Sequence, residues 1–210
     1  MRSATWRACL LLAALAPVLA SGAEPEPDKP ALMIFVGKLT EVRELNYDCG
    51  ENCWNFDSGF QMKYEVIESL RGEVGSPSVS FEFFGHYGLP SFAQFEKALV
   101  FVYKGFHQNV MARYLAFPVE KTTDGSWAYC GDPYPGDTPA RSRQVRSVKF
   151  ESPVALSPVT ERFRDRDVND DVVAKMKPGS RRCGKAVAAE DLVDFFEPQA
   201  EPGYNRIYNF

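Results

Sequence analysis

From residue 31 onward, apolar and polar positions alternate in short bursts separated by glycine, proline and aspartate. "ALMIFVGKLTEVREL" opens the series, rich in branched side chains, and Gly37 in its middle marks a bulge or sharp bend. "GFQMKYEVIESLRG" places Phe60, Met62, Tyr64, Val66 and Leu70 on one face and Gln61, Lys63 and Glu65 on the other. That is the period of a half-buried strand, ended by Gly72. "SVSFEFFG" repeats it, with Val79, Phe81 and Phe83 inward and Ser80 and Glu82 outward. "KALVFVYKG" is apolar throughout, as a strand covered on both faces would be. "RYLAFPVEKTTDGSWAYC" predicts two strands turning at Asp124-Gly125, with Pro118 at an edge or bulge.

Five or six strands at this spacing, with no long helical period between them, predict a mainly β fold. The expected architecture is a small five- to six-stranded barrel resembling an OB-fold, over residues 31–131. Gly37 suits such closure, because a bending strand crowds its own corner. Residues 132–210 predict an appendage of loops and short helices: a loop in "GDPYPGDTPARS", a candidate strand in "RQVRSVKFES", and two short helices. The first begins at Ser157-Pro158; the second, "AAEDLVDFFE", buries Leu192, Val193, Phe195 and Phe196.

The first 23 residues change the picture. Arg2 and Arg7 precede an apolar run from Ala8 to Ala20 and then small residues, the layout of a secretory signal peptide. Cleavage is expected after Ala20 or Ala23, and Cys9 leaves with the signal. Residues 24–30, alternating proline and charge, form an extended leader. The run is too short to span a membrane, and no later segment reaches that length. A periplasmic or secreted protein follows.

Export makes the cysteines informative. Cys49, Cys53, Cys130 and Cys183 form an even set in an oxidising compartment, which reads first as disulfides. The favoured pairing is Cys49 with Cys53 and Cys130 with Cys183; links from Cys53 to Cys130 or Cys183 stay open. The pair in "YDCGENCWNF" also supports a rival expectation, in which Cys49, Cys53 and either His86 or His107 handle copper or zinc. A redox role is disfavoured, since Asp48 and Glu51 raise a neighbouring thiol pKa.

Charge and the remaining motifs add exclusions. The net charge is −4. Residues 24–104 hold 13 acids against 7 bases, whereas residues 105–210 hold 15 of each, so nucleic acid is not the expected partner. Arg141, Arg143, Arg146 and Lys149 make a small basic stretch suited to an anionic partner. With two histidines, neither in a hydrolase motif, no catalytic residue, enzyme activity or cofactor is expected. Asp170-Asp171 reads as solvated surface. The terminal "YNRIYNF" ends as outer-membrane barrels do, but the strands are too few for one.

"FVGKLTEV", "YEVIESLRG" and "ALVFV" together resemble the netrin-like module, the OB-type barrel shared by tissue inhibitors of metalloproteinases and by exported bacterial proteins. The glycine-lysine after an apolar triplet and the basic-glycine end of the second strand carry the likeness. The resemblance covers residues 31–131 and implies the fold. It does not imply protease inhibition, which in those inhibitors needs a cysteine at the mature N-terminus; here Ser21 or Glu24 stands there. The expected function is an exported, non-enzymatic interaction module for a protein or a cell-envelope component.

Overall fold

The computed structural model describes residues 30–46, 58–86, 88–105, 107–136, 139–163 and 175–201. Residues 1–29, where a signal peptide and leader are expected, together with Cys49, Cys53, Asp170, Asp171 and residues 202–210, lie outside the described residues.

Five strands close a barrel: β1 (Leu32–Leu45), β2 (Ser58–Arg71), β3 (Ser78–Gly85), β4 (Lys97–Tyr103) and β5 (Val110–Pro118). Their order around it is β1-β2-β3-β5-β4, with β1 hydrogen-bonded to both β2 and β4. Neighbours are antiparallel except β3 and β5, whose parallel contact at Glu82 and Val110 completes the ring. This is the Greek-key closure of an OB-type barrel, so the expected fold class holds.

The alternation predicts the interior. Phe60, Met62, Tyr64, Val79, Phe81 and Phe83 all point into the barrel core, where the Tyr64 and Phe81 rings stack 5.7 Å apart. Two 3-10 turns cover its end. Ser91–Gln94 supplies Phe92, edge-on to Phe83, and Pro158–Phe163 supplies Phe163, edge-on to Phe60. The second turn is where the helix at Ser157-Pro158 was expected; residues 164–174 of that helix are outside the described set.

Both marked glycines have a steric cause. At Gly37 the β1–β2 register shifts, and a Cβ there would sit 3.0 Å from the Glu65 carbonyl oxygen and 3.1 Å from Tyr64 Cβ. Gly72 ends β2 at φ +70°, and a Cβ there would come within 2.2 Å of the Leu32 carbonyl oxygen. Only glycine fits such a left-handed close approach.

From Glu120 onward the chain leaves the barrel. Strands β6 (Glu120–Lys121), β7 (Trp127–Cys130), β8 (Arg146–Lys149) and β9 (Arg182–Ala188) form a second sheet in the order β6-β7-β9-β8. The barrel therefore ends at Pro118, and the hairpin at Asp124-Gly125, expected within the barrel, begins the second sheet instead. Thr122 bridges to Phe150, drawing β8 back towards β6 and curling this sheet as well. It is accompanied by α1 (Pro139–Gln144), in a stretch expected to be loop, and by α2 (Ala189–Phe196), as expected.

The two units share a wall. Every residue of β4 after Lys97 is buried. Ala98, Val100 and Val102 face the barrel core, while Leu99, Phe101 and Tyr103 join a second core with Trp127, Tyr129, Val187, Leu192 and Val193. Strand β1 divides the same way, with Met33 and Phe35 on one side and Ile34 and Val36 on the other. Phe117 of β5 is the hub of the outer core, its ring 5.7 Å from Tyr129 and 5.1 Å from Phe196.

Candidate functional site

The sequence points to three groups of side chains, and the fold separates them. Cys130 and Cys183 are bonded, Cα to Cα 5.7 Å, across the adjacent strands β7 and β9. The bond is buried in the outer core, where the Cys130 N–H donates to the Met176 sulfur at 3.2 Å. This is one of the two expected pairs; the other lies outside the described residues.

The histidines do not converge. His86 follows the end of β3, and His107 precedes the start of β5, both exposed. Glu82 of β3 lies opposite Val110 of β5; His86 comes four residues after the one and His107 three before the other, so the chain carries them away from each other along the seam. Leu45 and Ser58, which bound the stretch holding Cys49 and Cys53, pair with Gly59 and Gly85, at the His86 end. Strand β5 starts between β4 and β3, with Val110 opposite Tyr103 on one side and Glu82 on the other. Among the described residues, no group of three or more His, Cys, Asp or Glu is arranged to hold a metal.

The basic stretch is split between elements. Arg141 and Arg143 belong to α1, whose placement of those two side chains is outside the description, while Arg146 and Lys149 are exposed on β8. Strand β9 adds cations that the local sequence pattern did not assign to a strand. Lys149 lies directly opposite Arg182, and both are exposed. Asp124, at the β6–β7 turn, accepts hydrogen bonds from the Thr122 hydroxyl and from the hydroxyl and N–H of Ser126. These bonds, with Arg146 nearby, hold its carboxyl down at about 2.

Two buried side chains stand out on β2 and β3. Glu82, expected on the outer face of β3, is 4% exposed. It sits at the closing seam, opposite Gln61 on β2 and Val110 on β5, and its N–H donates to the Asn109 carbonyl at 3.0 Å. Tyr64 is buried with its hydroxyl unpartnered, and desolvation raises its pKa far above the usual value.

Tyr114 stands out with no local sequence signal. Two steps along β4, from Val100 to Val102, are matched by five along β5, from Met111 to Ala116, so β5 carries a wide bulge. Tyr114 rides on it at φ +58° with 71% of its surface exposed. The Arg113 guanidinium lies 5.3 Å from the centre of its ring, and the Arg113 N–H donates to the Glu201 carbonyl at 3.0 Å. A bulky side chain in left-handed backbone costs about 1–3 kcal/mol. Ala112 and Leu115, on either side, are buried and fix the bulge to the wall.

A scan against protein-family models finds no match, and searches of curated proteins and of solved structures find none either.

Proposed function

We propose that this chain is an exported, non-enzymatic interaction module of netrin-like type that grips a partner in the cell envelope or outside the cell through the β5 bulge at Arg113 and Tyr114. One observation carries the reading: an exposed aromatic ring held in unfavourable backbone beside an arginine, on a wall packed rigidly from both sides. Tyrosine and arginine are the side chains that most often dominate interface energy, and a rigid base lowers the entropy lost on docking. A strained, solvent-facing tyrosine destabilises the free protein, which is a reason to look for its return in a complex. A netrin-like module would have this strand order, and the steric roles of Gly37 and Gly72 suit the two short motifs that carry the likeness. A buried disulfide suits an oxidising compartment.

The test uses Tyr114→Gly. Glycine accepts this φ without strain, so folding stability should be unchanged or rise by up to about 1 kcal/mol. Partner recovered from envelope extract should fall at least tenfold, about 1.4 kcal/mol, as for loss of an interface anchor. Equal recovery by the variant refutes the reading. Export is checked by N-terminal sequencing of the extracytoplasmic protein, which should begin at Ser21 or Glu24.

A further inference from the structure

The β8–β9 face carries a charge pattern that the Tyr114 bulge does not explain. Lys149 and Arg182 are direct cross-strand partners on the exposed side, whereas their neighbours Val148 and Cys183, also paired, belong to the outer core. Like charges directly opposite in a sheet are destabilising. The surroundings reinforce the charge. Residues 175–189 contain five bases and no acid, and Lys175, Lys177, Arg181, Arg182 and Lys185 are all exposed. Arg181 is held beside β8 by the hydrogen bond from the Phe150 N–H to its carbonyl. The ion pairs found among the described residues lie elsewhere, at Lys38, Arg71 and Lys97. Two acids border the face: Asp124, near Arg146, and Glu151, just past β8.

Edge protection does not account for this pattern. Charged residues on an edge strand discourage sheet-to-sheet aggregation, and Arg146 and Lys149 on β8 fit that role. Arg182 and Lys185, however, are on β9, an interior strand between β7 and β8. Nor does overall charge account for it, since a chain of net charge −4 repels polyanions except where cations are concentrated.

We propose that the β8–β9 face binds an acidic polysaccharide, with Lys149, Arg182 and Lys185 holding successive anionic groups. Lys149 and Arg182 sit on adjacent strands about 4.8 Å apart, and Lys185 lies three residues further along, about 10 Å. That arrangement matches anionic groups repeated along a chain better than one isolated anion. Single-stranded nucleic acid is disfavoured because its binding needs exposed aromatic rings to stack bases. A lipid surface is disfavoured because apolar side chains must enter it. The large exposed apolar residues among those described are Ile67 and Tyr114, on β2 and β5.

The experiment measures retention of the intact, oxidised protein on dextran sulfate and on polygalacturonate, with anionic vesicles and single-stranded DNA as competitors. Lys149→Gln/Arg182→Gln should bind at least tenfold more weakly with a shallower salt dependence, while its melting temperature stays level or rises because a like-charge contact is gone. Lys63→Gln, on the outer face of β2, should bind as the parent does. Retention of either polymer with this pattern supports the proposal, and the preferred polymer tells sulfate from carboxylate. Failure to retain either polymer, equal weakening by Lys63→Gln, or stronger binding to vesicles or DNA than to both polymers overturns it. Tyr114→Gly should retain the polymer normally, so this result and the partner-binding result fail independently.

Discussion

The barrel and the second sheet both bury an apolar face, but by different means. Strands β1 and β2 of the barrel are 14 residues each, long enough for alternation to specify register, and the ring leaves no free edge. Strands of the second sheet are two to seven residues long and could not hold their pairing alone. They borrow the outer face of β1, β4 and β5, a helix and a disulfide. The small unit is thus folded onto the large one, and its outer surface carries a concentration of like charge.

The sharpest way to break that comparison is at the shared wall. Phe117→Ala removes the ring that touches Phe101, Tyr129 and Phe196, and should destabilise the protein by about 3–5 kcal/mol. Because β4 feeds both cores, chemical denaturation should remain one transition, monitored at Trp127 and by overall circular dichroism. Two separated transitions would mean that the units fold independently.

The disulfide comes next. Replacing both Cys130 and Cys183 with alanine releases a loop of sequence separation 53, worth about 4 kcal/mol in the chain-entropy description. Hydrogen exchange should accelerate most in β7, β8 and β9. Equal acceleration in β2 and β3, which the bond does not touch, would argue that the second sheet is no weaker than the barrel.

The same contrast governs what could be read in advance. Phe60, Met62, Tyr64, Val79, Phe81 and Phe83 were legible because one face of each strand meets a dry core. The unbroken apolar run in β4 was legible because both faces do. Strand β9 was not, since "RCGKAVA" has only a short apolar end and is held as a strand by its neighbours β7 and β8. Half of the basic face is therefore not legible locally, whereas Arg146 and Lys149 are. Glu82 misled because its burial comes from barrel closure, a non-local event. Tyr114 gave no signal because a non-glycine residue at positive φ is set by mismatched strand lengths, not by its own sequence. Cys130 with Cys183 was one of several pairings that the spacing allowed, and strand adjacency selected it.

A smaller effect separates closure from mere turning. Gly72 and Gly75 both have positive φ, but a Cβ at Gly72 meets the Leu32 carbonyl, whereas one at Gly75 meets nothing within 4 Å. Gly72→Ala should therefore cost at least about 2 kcal/mol, strain plus clash, and Gly75→Ala about 1 kcal/mol from backbone strain alone. Equal melting temperatures for the two variants would show that β1 yields at Leu32 and that the barrel wall is softer than its burial implies.

The smallest effect concerns charge across the junction. Arg71, at the end of β2, reaches Glu190 at 3.2 Å, Asp194 at 3.0 Å and Glu197 at 3.7 Å on and after α2. It is the most conspicuous polar link between barrel and appendage, yet its side chain is 38% exposed and its partners 41–67%. Exposed pairs of this kind are screened, so Arg71→Ala should cost under about 1 kcal/mol, and the difference should shrink towards zero in 1 M salt. Leu192→Ala, a few ångströms inside on the same helix, should cost about 2–5 kcal/mol regardless of salt. If Arg71→Ala proved the more damaging of the two, the appendage would be held by charge rather than by the wall it covers. The division of labour would then reverse: an apolar surface would stand free for partners, and the cations of β8 and β9 would be one part of a wider electrostatic clamp.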